Sequence, residues 1–194
     1  QEIELSSNNK NFFKENGLIM KYSKNESKDH NHNSQSKEIV FASFNDLESD
    51  FVIKGDISKL YGSAFYNRSK LNSLRSAPKP LQIICSNCFS KCTNLKSVDF
   101  EGIKNLILDM ASFSDCQSLE SVKIGECDEL TVGKRCFSNC ASLNSFQLSR
   151  IGKLTLHEKA FYKCSSLSEL VITSDSEIEI HDKCFSEMES LRFI

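Results

Sequence analysis

Nine cysteines and four histidines are the residues in this chain best suited to chemistry. Cys85, Cys88 and Cys92 contain one C-x-x-C pair. A structural zinc site needs four ligands, normally two such pairs, and no second pair is present. Cys92, Cys116, Cys140 and Cys164 recur instead at a constant interval of 24 residues. At such regular spacing cysteine reads as a small buried hydrophobe. Stacked neighbours would lie about 5 Å apart, so disulfides are not excluded by distance. The odd total and the lack of paired spacings point to free thiols and a reducing, intracellular compartment, with the cell surface as the alternative.

His157 and His181 are also 24 apart, followed directly by Glu158 and Asp182. Two stacked imidazoles beside carboxylates could hold a metal or titrate near neutrality. The other members of that column, Asp109 and Gly133, do not extend a ligand set, so the expectation is an exposed turn with no metal and no cofactor. His30 and His32 fall in a polar tract and read as solvated. There is no G-x-S-x-G elbow, phosphate loop or H-E-x-x-H. The chain is therefore expected not to be an enzyme, and a metal-dependent enzyme built on His157 and His181 is the remote alternative. Asn25 and Asn67 open formal glycosylation sequons, which matter only in a secreted protein.

The interval of 24 belongs to the whole chain. Phe65, Phe89, Phe113, Phe137, Phe161 and Phe185 keep it, each followed six residues later by Leu71, Leu95, Leu119, Leu143, Leu167 and Leu191. Repetition at such a period marks an array whose units bury their apolar side only by stacking on one another. VDF, VKI, FQL and LVI, ending at Phe100, Ile124, Leu148 and Ile172, have the period-2 pattern of short strands, so stacked copies predict a parallel sheet. Pairs such as Leu106 and Leu108, Leu130 and Val132, Leu154 and Leu156, and Ile178 and Ile180 predict a second short strand per coil. Phrases such as CFSNCASL predict one helical or 3₁₀ turn carrying each Phe inward. Small residues (Ala64, Cys88, Ser112, Cys136, Ala160, Cys184) precede the Phe where coils approach closely. The fold class is a solenoid of stacked 24-residue coils with short parallel strands.

Two regions are expected. Residues 1–38 form an N-terminal cap segment, with a flexible polar loop at about 22–38 and a cap strand in the apolar stretch 11–22. Residues 39–194 form the array, with divergent units at 39–80 and regular ones at 81–194. In the divergent part Arg68 replaces the column cysteine, and the loop SAPKP at 76–80 interrupts the next unit. Phe41 and Leu47 fit one interval earlier, with Phe44 in the Cys column. The chain starts at Gln1 and stops at Ile194 within a repeat, which suggests a processed or truncated protein continuing beyond 194. Leu191 and Ile194 then present an apolar end, expected to be covered by further chain or another subunit.

This pattern resembles the BspA-like leucine-rich repeat family, whose units carry an A-F-x-x-C-x-x-L-x-x-I-x-I core, over about residues 57–194. The family's usual Pro after the strand is replaced by Glu101, Gly125, Ser149 and Thr173, and only Gly133 matches its Gly column. The resemblance implies a curved solenoid, a role in protein binding or surface attachment, and no catalytic residues.

A formal net charge of −2 and the lack of a basic run disfavour nucleic acid. No apolar stretch approaches the roughly 18 residues of a membrane span. What remains is the outward side of the strand ladder: Lys96, Glu120, Asn144, Ser168 and Arg192, beside Asp99, Lys123, Gln147 and Val171. Their chemistry varies from unit to unit, as suits a face that reads other proteins. The leading expectation is a protein-binding scaffold or structural component of a larger assembly. The alternative is a cell-surface or secreted adhesin-like antigen.

Overall fold

Alternation of apolar and polar residues leaves each short strand with one side to bury, and a coil of 24 residues can bury it only against the coil before and after. The computed structural model describes residues 5–6, 9–23, 36–43, 48–77, 81–173 and 177–192, without the side chains of 171–173. It is a β-solenoid. Each coil runs through a first strand, a second strand and a turn. The first strands are β4 (Asp50–Ile53), β6 (Ser73–Ser76), β8 (Ser97–Glu101), the start of β10 (Ser121–Val132), the start of β11 (Ser145–Leu156) and β12 (Val171–Thr173). The second strands are β5 (Ile57–Leu60), β7 (Ile83–Ile84), β9 (Asn105–Leu108), the ends of β10 and β11, and β13 (Glu177–Ile180). All these neighbours pair in parallel, at the repeat interval from β6 and β5 onward, as in Val98↔Val122↔Phe146 and Leu106↔Leu130↔Leu154, and one residue short of it between β4 and β6 (Asp50↔Ser73).

In the two central coils the expected pair of short strands is one strand bent at a corner, since β10 and β11 each span 12 residues. The corner column is Gly102, Glu126 and Arg150, all left-handed with φ of 68°, 43° and 51°. Where glycine is missing, an ion pair between Arg150 and Glu126 spans the two corners.

The helical turns expected around each Phe do not form, and no helix occurs among the described residues. Two left-handed residues flank every ring, for example Ala111 (φ 53°) and Asp115 (φ 61°) around Phe113, which interrupts any run of helical dihedrals. The turn backbone instead joins the stack. Phe89 N–H donates to the Ser112 carbonyl at 2.7 Å, Phe113 to Cys136 at 3.0 Å and Phe137 to Ala160 at 2.8 Å. A third hydrogen-bonded ladder therefore runs beside the two strand ladders. It also explains the small residue before each Phe, buried in all six coils.

Inside, the rings of Phe65, Phe89, Phe113, Phe137, Phe161 and Phe185 form one column with successive centroids 4.7 to 5.6 Å apart and planes within 24° of parallel. Cys92, Cys116, Cys140 and Cys164 and Leu95, Leu119, Leu143 and Leu167 are fully buried beside them. Phe185 and Leu191 in the last described coil are half-buried. There Ile178 and Ile180 are 42% and 51% exposed, whereas Leu154 and Leu156 one coil earlier are 0% and 1%. Ile194 lies outside the described residues.

The N-terminal end is built differently. β1 (Phe13–Glu15) and β2 (Leu18–Tyr22) form an antiparallel hairpin, two strands in place of the single expected one. Asn16 and Gly17 (φ 48° and 74°) supply the left-handed pair that a two-residue hairpin turn needs. β2 pairs antiparallel with β3 (Lys37–Ala42), and β3 pairs parallel with β5. Between Lys37 and Glu38 the register shifts, with Ser58 of β5 as the extra residue. The first coil is one residue short of 24, as in Asp50↔Ser73, so Ala42, not Phe41, takes the Phe place: its N–H donates to the Ala64 carbonyl at 3.0 Å, as Phe65 N–H does to Cys88. Phe51 covers the end of the ring column, 5.1 Å from Phe65. Phe44, Leu47, most of the polar tract with Asn25, His30 and His32, and residues 78–80 lie outside the described residues.

Candidate binding face

The outward side of the first-strand sheet carries two columns of varied side chains on a fixed lattice. Lys96, Glu120, Asn144, Ser168 and Arg192 enter successive coils, and all are exposed. Their backbone is tied coil to coil, with Glu120 N–H donating to Lys96 carbonyl at 2.8 Å, Asn144 to Glu120 at 3.0 Å and Arg192 to Ser168 at 2.9 Å. The second column is Val52, Arg75, Asp99, Lys123 and Gln147, continued in register by the backbone of Val171. Asp99 is half-buried, and Lys123 and Gln147 are exposed. Lys123 is ion-paired to Glu101, which holds its ammonium charged to higher pH than usual. Exposed as both are, that pair orients the lysine more than it stabilises the fold. Sequence periodicity alone places Lys96, Asp99, Glu120, Lys123, Asn144, Gln147 and Ser168 on one side. Arg75 and Val52 are additions from the structure: counting back one coil from Asp99 finds Arg75, but a second step of 24 lands on Phe51, because β4 pairs with β6 one residue short of the repeat.

His157 and His181 lie in adjacent coils with ring centroids 4.5 Å apart and planes tilted by 39°. His181 Nε2 is 3.1 Å from Glu179, and Glu158 pairs with Lys134 at 2.7 Å, which holds its carboxyl below the usual range. Glu158 is thus directed to Lys134 and away from the imidazoles. Among the described residues no three His, Cys, Asp or Glu side chains converge on one point.

All nine cysteines are free thiols. The column thiols do more than fill space. Cys92, Cys116, Cys140 and Cys164 donate to the carbonyls of Phe65, Phe89, Phe113 and Phe137, one coil back, at 3.1 to 3.2 Å. Their constant offset of 27 residues from that Phe is visible in the sequence, but only the coil geometry gives it meaning. Arg68, in the same column, does the same job for the first coil: its guanidinium reaches the Ala42 carbonyl and lies 5.2 Å from the Phe41 ring.

Burial favours the protonated form of most cysteines. It pushes Cys88, Cys92, Cys136 and Cys140 well above the usual thiol value, and Cys164 and Cys184 up to about 12. The folded values lie above those of the unfolded chain, so their contribution to stability is complete below the unfolded thiol pKa and is lost as pH rises through the folded one. Between about pH 8.5 and 12 the unfolded chain sheds protons that the folded chain keeps, at about 1.4 kcal/mol per pH unit for each such thiol. Urea midpoints measured from pH 8 to 11 are expected to fall, and to fall less steeply in a Cys140→Ala, Cys164→Ala double variant.

The BspA type leucine-rich repeat region model matches residues 22–131 and 104–194, with six copies. The chain belongs to the BspA-type leucine-rich repeat family. No curated protein matches it in sequence. Among solved structures, a leucine-rich repeat protein from Eubacterium ventriosum superposes with a TM-score of 0.71 at 23% identity, covering 100% of this chain and 54% of that one. A leucine rich cell surface protein from Faecalibacterium prausnitzii gives a TM-score of 0.64 at 18% identity over 97% of this chain and 55% of its own. The T. pallidum leucine rich repeat protein gives 0.50 at 17% identity, covering 84% and 83%. These likenesses establish the leucine-rich repeat fold, and the chain spans about half the length of the first two. No helix among the described residues is long and apolar enough to cross a membrane, which says nothing of β-barrels.

Proposed function

We propose that this BspA-type array is a non-enzymatic protein-binding module, a scaffold or structural component of a larger assembly, whose first-strand face reads the partner. One observation carries this reading: core columns repeat while the adjoining outward columns, Lys96 to Arg192 and Arg75 to Gln147, change chemistry at every coil on a hydrogen-bonded lattice. A surface held this rigidly loses little ordering entropy when a partner docks, so its contacts convert efficiently into affinity. The half-exposed apolar end at Ile178 and Ile180 suits cover by a further coil or another subunit. Nine free thiols favour an intracellular setting. The second reading, a cell-surface or secreted antigen, draws support from the similar Faecalibacterium prausnitzii protein, which is named as a cell surface protein.

The test is affinity capture with three baits: the protein itself, a Glu120→Lys, Lys123→Glu, Gln147→Glu variant, and a Glu129→Lys, Lys153→Glu variant altered on the other sheet. A shared partner should be captured by the first and third and reduced at least tenfold by the second. The compartment of that partner decides between the two settings. Equal capture by all three would remove the face from the proposal.

A further inference from the structure

The two sheets end at different heights at the N-terminal end of the stack. The second-strand sheet continues past β5 through β3, β2 and β1, whereas the first-strand sheet stops at β4. One strand position beside β4 is therefore vacant among the described residues while the hairpin overhangs it. A cleft of about 620 Å³ occupies this step. Its lining combines apolar side chains, from Leu18 and Met20 of β2, Ile39 of β3, Phe51 of β4 and Ile57 of β5, with the charged Glu15, Lys37, Glu48, Lys54 and Asp56.

β4 also offers backbone. The Ser49 carbonyl accepts from Ser73 and the Ile53 carbonyl from Ala77, so odd-numbered residues of this strand bond towards β6. By the alternation of a parallel ladder, the N–H and C=O of Val52 face the other way, and no strand among the described residues pairs with that edge. Val52 is 53% exposed. At the rim, Lys54 and Lys37 are matched by Glu15 and Asp56 at 2.9 and 3.0 Å. Glu48, also lining the cleft, has no cation among the described residues, and Asp56 Oδ1 is buried without a hydrogen-bond partner. The residual charge is negative and includes an unfilled acceptor.

We propose that this step is a second protein-binding site, which takes an extended peptide segment of another protein as an added strand on β4. The segment carries aliphatic side chains at alternate positions, turned towards the half-buried Phe51 and the edges of Leu18 and Met20, and a basic residue between them for the acidic rim. Main-chain bonds to Val52 supply affinity and the apolar cleft supplies selection, the usual division in strand addition. The site is about four residues long, the length of β4. It adjoins the first-strand face at Val52 but uses that residue's backbone edge and not its outward side chain, so substitutions at Glu120, Lys123 and Gln147 test the two sites separately.

The probe is a fluorescein-labelled pentapeptide, threonine–valine–lysine–valine–threonine, with blocked ends, titrated by anisotropy. Saturable binding to the protein is expected. It should weaken at least tenfold with Val52→Pro, which removes the edge N–H where proline is tolerated on an edge strand. A peptide N-methylated at both valines should lose as much, and one with glutamate for lysine at least fivefold. The Glu120→Lys, Lys123→Glu, Gln147→Glu variant should bind as the parent does. Unchanged melting of Val52→Pro is the folding control, and the N-methylated peptide keeps the test valid if that variant fails to fold. No saturable binding, or equal binding by Val52→Pro and by the N-methylated peptide, overturns the proposal. So does a dimer of the parent that Val52→Pro abolishes, which would assign the edge to a second copy, or peptide binding that appears only after deletion of residues 24–35.

Discussion

Replacing Phe113 with alanine is expected to cost about 3–5 kcal/mol, the range for truncating a fully buried aromatic. Phe113 has no exposed surface and lies between Phe89 at 5.1 Å and Phe137 at 5.4 Å, with Phe100 at 6.4 Å closing its side. A stacked array has no single centre that could relax around the loss. Each coil contacts only its neighbours, so a void at Phe113 weakens the interfaces on both sides. Urea denaturation should show a lower midpoint and also a smaller m-value, because the segments before and after the defect then melt separately. Phe185→Ala, at a half-buried ring of the last described coil, should cost markedly less and leave the m-value unchanged. Equal losses at both positions would contradict a column whose energy depends on neighbours on both sides.

Gly133→Val is expected to destabilise by about 1–3 kcal/mol, the range for overpacking. A Cβ at Gly133 would lie 2.8 Å from the Asp109 carbon and the Leu108 oxygen and 2.9 Å from the Met110 nitrogen. All three are backbone atoms of the coil beneath, held in place by their own ladder. A side chain could rotate away from such a contact; this backbone cannot without breaking bonds such as Gly133 N–H to Leu108 carbonyl at 2.7 Å. Gly125→Ala is the control, because its Cβ would meet only the Glu101 side chain at 3.8 Å. Thermal melting of the two variants measures the difference, and a Gly133 variant as stable as the Gly125 one would refute the close approach.

The arrayed part of the fold is legible because period 24 and period 2 coincide. Phe, Cys and Leu recur with the first, and VDF, VKI and FQL alternate with the second, so the parallel register is set without long-range information. The turns mislead for a physical reason. A phrase such as CFSNCASL has the length and polarity of a helical turn, and the flanking left-handed positions are filled by Asn87, Ala111, Arg135 and Lys159 rather than by glycine. Of these only Asn87 is of a type that favours a positive φ; Ala111, Arg135 and Lys159 do not announce one. The bonds between turns enforce it, and they exist only once the neighbouring coil is in place. The N-terminal end is harder still, because the first coil is one residue shorter than the others, which puts Ala42 in the place that sequence spacing assigns to Phe41. At the proposed face, alternation identifies which side chains point outward, while the strand position beside β4 that is vacant among the described residues has no sequence signal at all. It arises from two sheets ending at different heights.

The three ladders share one direction: the bonds of both strand sheets and of the Phe turns all lie along the axis of the stack. A pulling force applied between the two ends would load them in tension and peel the molecule open a coil at a time, as a weak zipper. A force applied across the coils would meet the same bonds in shear, acting together. The protein is thus mechanically anisotropic, and how it is tethered determines how much load it withstands.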